Sequence, residues 1–191
     1  TVNIFDRVVK AAQGAAMGTE TRMDFEIIGG THDLLINKTL AAAMLVNLEK
    51  VGGVKYTPDE IAFSKSIQST FSGRIPSLDS AALVKPLHLE KAQGSTDVGD
   101  VSYTVPTVGL GAATWVPGTA PHSWQAIACG GTDIGIKGMM VAAKTMAFTA
   151  IDLFTNPELV KKAKEEFNSS KGTYQYKALL GDRQPALNYR D

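Results

Sequence analysis

The run from Thr132 to Phe154 constrains this chain more than any other part of it. Between Gly138 and Phe154 nearly every position is Ala, Met, Gly, Val, Phe, Ile or Leu, with no proline. That composition dictates a helix, and a helix apolar nearly all round must be buried on most sides, most simply against a sheet. Lys144 and Asp152 interrupt the stretch 138–154, which is too short and too broken to span a bilayer. No membrane association is expected.

The remaining pattern alternates helices with strands. Ile4, Val8, Val9, Ala12 and Ala15 fall near helical spacing over residues 3–16. Residues 22–28 alternate polar and apolar, as a half-buried strand does. Asn37 can cap a helix over 38–50, closed by Gly52-Gly53. Thr57-Pro58-Asp59-Glu60 holds an N-cap, a proline for the first turn and a capping-box glutamate, so a helix runs to about Thr70. Residues 73–98 read as loop with one short strand near 81–84, and residues 101–105 and 107–111 read as strands split by Pro106. Residues 113–124 read as loop. Asn156-Pro157-Glu158 starts a last helix to about Phe167. The class is α/β. Four strands are too few for the helix they must cover, so either the chain is part of a longer one or a partner completes its core.

Bulk composition narrows the function. The 191 residues suit one domain, or one plus a piece of another. Lys plus Arg equals Asp plus Glu at 19 each, which gives no electrostatic case for nucleic acid or a membrane surface. The one cysteine, Cys129, excludes an internal disulfide and a cysteine metal cluster, and its apolar setting fits a buried inert thiol. The start, Thr1 to Arg7, shows no signal-peptide pattern and reads as a join into the middle of a longer, cytoplasmic protein.

Three histidines could carry chemistry. His32 follows a strand and reads as an exposed loop residue; His88 sits among apolar neighbours and reads as packing. His122, after Pro121, lies in the loop before the long helix, where ligands and catalytic groups gather in α/β proteins. Spacing alone leaves it open between a ligand and an ordinary loop histidine. Asp97 and Asp100, three apart between glycines, could bind a metal or orient a ligand histidine, or could cap turns. Gly109-Leu110-Gly111 lacks the third glycine and the following helix of a dinucleotide site. A triad of Ser95 or Ser123 with His122 and Asp97 lacks the nucleophile elbow.

Taken in order, Gly94–Ser102 (GSTDVGDVS), Pro121–Trp124 (PHSW) and Gly138–Ala147 (GMMVAAKTMA) resemble the aminoacylase-like dinuclear zinc metallopeptidases and amidohydrolases. Thr31–Leu40 and Asn156–Phe167 extend that resemblance along the whole chain. It implies a C-terminal part of a three-layer α/β catalytic domain, residues 31–191, after the closing helix and strand of an inserted dimerisation domain, residues 1–30. It also implies metal-dependent hydrolysis of N-acyl or N-aroyl amino acids, p-aminobenzoyl-glutamate among them, with two divalent ions, zinc or else manganese or cobalt. Under it His122 is a metal ligand, and Asp97, Asp100, Ser123 and Asn37 are orienting or pocket residues. A homo- or hetero-dimer is implied too. The family's early metal motif and its Glu-Glu pair, source of the general base, are absent here, so this chain alone is expected to be inactive. The alternative is a non-catalytic interaction module of the same descent.

Overall fold

The computed structural model describes residues 2–88, 94, 96–181, 183, 184 and 187. It divides into two compact units, one built from Thr1–Thr31 with Lys177–Asp191 and one from His32–Tyr176.

In the first unit α1 (Val2–Gly18) stops at Thr19, whose hydroxyl donates to the Ala15 carbonyl at 2.9 Å, while Glu20 takes a left-handed φ of 53°. The chain then doubles back. Phe25 meets Phe5 edge-on at 5.9 Å, as expected when about 20 Å of helix is retraced by about 20 Å of extended chain. Arg183 Nε reaches Glu26 Oε1 at 2.8 Å, and Gly30 lets Leu179 lie directly on the backbone. No residue of α1 is buried, and Val2, Ile4, Phe5 and Val8 face solvent.

The second unit centres on three mutually packed helices: α2 (Lys38–Val51), α6 (Asp133–Thr155) and α7 (Pro157–Lys171). Around them stand α3 (Pro58–Gln68), a 3-10 turn at Leu78–Ala82, the single turn α4 (Val98–Ser102) and α5 (Trp124–Gly130). α6 turns a small-residue face inward, with Gly135, Gly138, Thr145 and Thr149 buried. Both threonine hydroxyls donate to carbonyls four residues back, which leaves no orphan donors on that face. From α2, the buried Asn47 amide reaches Asp152 Oδ2 at 2.6 Å and Thr149 Oγ1 at 3.3 Å, so the α2–α6 seam carries a polar pin. A second core joins Ile67, Val116, Cys129 and Ile134. Tyr56 leans on it, and burial, then Cys129 and Glu60, pushes its phenol up to about 12, keeping it a neutral donor.

The helix starts expected from local sequence are all present. Asn37 accepts from Leu40 N, Thr57 and Glu60 form the reciprocal capping box, and Asn156 accepts from Leu159 N. α5 was not expected. Seven residues are too few to show a helical period, and only Ser123, which accepts from Ala126 N, marks its start.

The strands fail. Among the described residues there is no β-strand. Residues 101–105 alternate like a strand, yet they close α4 and its following turn, because Thr104 N and Val105 N both bond back to the Val101 carbonyl. Near 81–84 the chain instead forms the 3-10 turn, started by Ser77. Residues 22–28 and 107–111 lie outside any helix or ladder. A lone extended segment has no neighbour for its N–H and C=O groups, so alternation alone cannot make it a strand. α6, at 23 residues close to the expected 132–154, is long and apolar enough to cross a membrane by length and composition alone, which the stretch 138–154 considered by itself was not.

Candidate functional site

α4 is the block on which the second unit begins. Gly99 is buried against the His32 carbonyl, with no room for a Cβ between them. Ser102 Oγ donates to the Gly99 carbonyl at 2.6 Å and accepts from Leu35 N at 2.8 Å. Those two glycine and serine contacts place Asp100 beside His32, Nδ1 to Oδ1 at 2.8 Å. The other ring nitrogen, Nε2, meets the Tyr174 hydroxyl at 2.7 Å. With Asp100 ionised, Nδ1 is the donor and Nε2 accepts from the tyrosine, so one tautomer satisfies both bonds.

Tyrosines enclose this histidine. The rings of Tyr103, Tyr174 and Tyr176 lie 5.2, 5.9 and 5.3 Å from it. Tyr103 donates to Asp33 Oδ1 at 3.2 Å. Loss of solvation, then the Asp33 charge, raises the Tyr103 phenol; loss of solvation, then Asp100, does the same to Tyr176. Both stay protonated donors at neutral pH. The arrangement fixes an imidazole in one orientation and ties three chain segments together.

The residues singled out in the sequence scatter. Asn37 is buried, capping α2 and donating to the Ala163 carbonyl at 2.8 Å, so its contacts are structural. Ser123 caps α5 and donates to the Ala120 carbonyl at 2.6 Å. Asp97 stands exposed before α4 and makes no side-chain cap bond. Asp100 does orient a histidine, and that histidine is His32. His32 is therefore not an exposed loop residue: its side chain is only 10% exposed. Ser95 lies outside the described residues. His88 is exposed rather than packed in, at the rim of a groove of about 940 Å³ lined by Met44, Leu48, Val54, Leu110 and Val116. That groove contains neither His122 nor the two aspartates.

His122 is exposed, with its backbone in the left-handed region at φ 59°, a conformation uncommon outside glycine. Its loop is held from α3, where Gln68 Nε2 donates to the Pro76 and Pro117 carbonyls at 3.0 Å each. Gln125 donates to Thr70 at 3.2 Å just beyond. Trp124, two residues on, is exposed as well. Among the described residues no three His, Cys, Asp or Glu side chains converge as a metal centre, so His122 finds no ligand cluster among them. A dinuclear site does not fit these residues by themselves.

No family model matches the chain, and no solved structure matches it. Among curated proteins it is 33% identical, over 199 aligned positions, to one of the subunits of p-aminobenzoyl-glutamate hydrolase from Escherichia coli strain K12. The alignment takes in 91% of this chain and 41% of that protein, so the chain spans about two fifths of the length of the relative it matches. Along nine-tenths of its own length the chain is thus similar to a subunit of a hydrolase, and the resemblance read from the sequence is borne out to that extent.

Proposed function

We propose that this chain is part of a metal-dependent amidohydrolase cleaving N-acyl or N-aroyl amino acids such as p-aminobenzoyl-glutamate. The observation that carries this reading is the 33% identity to a p-aminobenzoyl-glutamate hydrolase subunit over 91% of the chain. In the net reaction the amide C–N bond breaks and water adds across it, its oxygen going to the aroyl carboxylate and its two protons to the amino-acid nitrogen, which leaves as an ammonium. His122 is the residue we assign to a metal. The strained backbone there, on a loop braced from α3, supports the assignment, since strain of this kind gathers at functional sites. Two divalent ions, zinc or else manganese or cobalt, would need further ligands and the general-base glutamate from beyond these residues. No hydrolytic step therefore belongs to this chain's own side chains. Asp97 and Asp100 are pocket or orienting residues in this reading, and Asn37 and Ser123 act through the helices they cap.

The same reading supplies the finer fold. The outer face of α6 is covered by a sheet from the rest of the protein, giving three layers. Residues 1–30 are the end of an inserted dimerisation domain, and the protein is a cytoplasmic homo- or hetero-dimer. One observation favours a different reading, a non-catalytic interaction module: no ligand cluster forms among the described residues while α6 and α1 leave apolar faces uncovered.

The test uses a protein that carries this chain together with the remaining length of the relative. Zinc stoichiometry and glutamate release from p-aminobenzoyl-glutamate are measured with and without His122→Ala. Loss of bound metal and a fall in activity of at least about a hundredfold are expected. Unchanged zinc and turnover would take His122 out of the site, and a metal-free, inactive parent protein would favour the interaction module.

A further inference from the structure

His32 and Tyr176 are the first and last residues of the second unit, so the chain crosses to the other unit directly before one and directly after the other. Their rings are 5.3 Å apart. Two crossings distant in sequence thus leave from one spot, and that spot is the His32 cluster. Each is held there by its own bonds. On the incoming side, Asp100 holds the His32 ring, Tyr103 holds Asp33, Ser102 holds Leu35 N and Gly99 packs on the His32 carbonyl. On the outgoing side, Tyr174 bonds to His32 Nε2 and stacks edge-on against Tyr103 at 5.2 Å. Among the described residues the His32 imidazole bonds to both sides, Nδ1 to Asp100 and Nε2 to Tyr174, and Tyr176 on the outgoing side also faces the Asp100 carboxylate.

We propose that the Asp100–His32–Tyr174 chain is a clasp that pins both crossings to α4 at one base, so that they loosen together and not one at a time. His32 is the positioning residue. Asp100 fixes its ring, and the fixed ring presents Nε2 to Tyr174. A merely local role for each contact makes a different forecast, in which removing the Tyr174 hydroxyl loosens only the segment after α7.

Amide hydrogen exchange on the full chain separates the two. Tyr174→Phe keeps the ring and removes only the hydroxyl. We expect exchange to quicken about three- to tenfold in the peptide spanning residues 29–36 as well as in 172–178, the range set by one lost hydrogen bond. Amides of α2 and α6 serve as the folding control and should not change. Acceleration confined to 172–178, or none at either crossing, overturns the clasp. Asp100→Asn is the second variant, with the same reading from the other end. It should quicken exchange at 172–178, a segment that does not contain residue 100, and an effect limited to residues 98–103 counts against the proposal.

Discussion

Gly99 has no side chain because the His32 carbonyl occupies the place where one would be. Gly99→Ala must push α4 away from residues 32–35, stretching the Asp100–His32 and Ser102–Leu35 bonds together. We expect a loss of about 1–3 kcal/mol, the usual range for overpacking a tight contact, read from urea unfolding. An unchanged midpoint would mean that α4 can slide without cost. The same contact explains what could be read at this scale and what could not. Asp100 was legible as a carboxylate suited to orienting a histidine. Its partner was not, because His32 and Asp100 are far apart in sequence and only the fit of a glycine on a carbonyl brings them together. His122 was legible as a loop residue; that its backbone is left-handed was not, since no glycine or asparagine marks the position.

Helix starts are the level at which the sequence spoke most plainly. The caps at Asn37, Thr57 and Asn156 each act within three residues, so nothing remote is needed to read them. Strands failed for the opposite reason, since a ladder needs a neighbour and residues 22–28 and 107–111 have none among the described residues. One feature of α2 lay beyond local reading. Glu166, from α7, accepts from both Lys38 N and Thr39 N at 2.8 Å, setting a carboxylate on the positive end of α2. Burial raises its pKa, but the bonds from Thr39 and Lys38 outweigh burial and hold it below the ordinary 4.5. A lowered folded-state value means stability that is present above the ordinary value and lost as pH falls through the folded one. Glu166→Gln should therefore cost about 0.3–1 kcal/mol at pH 7, with the gap to wild type closing in acid. A gap that stays constant from neutral pH to about pH 3 would show that the charge contributes nothing.

Over the whole molecule the unmet demand is that of α6. One face is satisfied by α2, α5 and α7, while Ile136, Met139, Met140, Ile151 and Phe154 remain exposed on it. Side chains of this size gain about 1.5–3 kcal/mol each on burial, so an uncovered row of them drives association. The isolated chain should bind a hydrophobic dye and sediment as more than a monomer. Ile136→Lys with Met140→Lys should reverse both without loss of helical signal. A wild-type chain that stays monomeric and dye-negative would show that this face needs no cover. The long helix was the feature most readable at the start, but the burial on most sides against a sheet expected for it is not seen: among the described residues one face is covered, by helices, and the other is exposed. The two-unit division has a consequence for the order of assembly. During synthesis residues 32–176 emerge as one continuous stretch, whereas the other unit needs residues 1–31 to wait for 177–191. Joining the ends of so long an intervening loop carries an entropy cost that grows with its length. Once His32 and Tyr174 are bonded, that loop is already closed, and the late segment arrives beside the early one as if the two were neighbours in sequence.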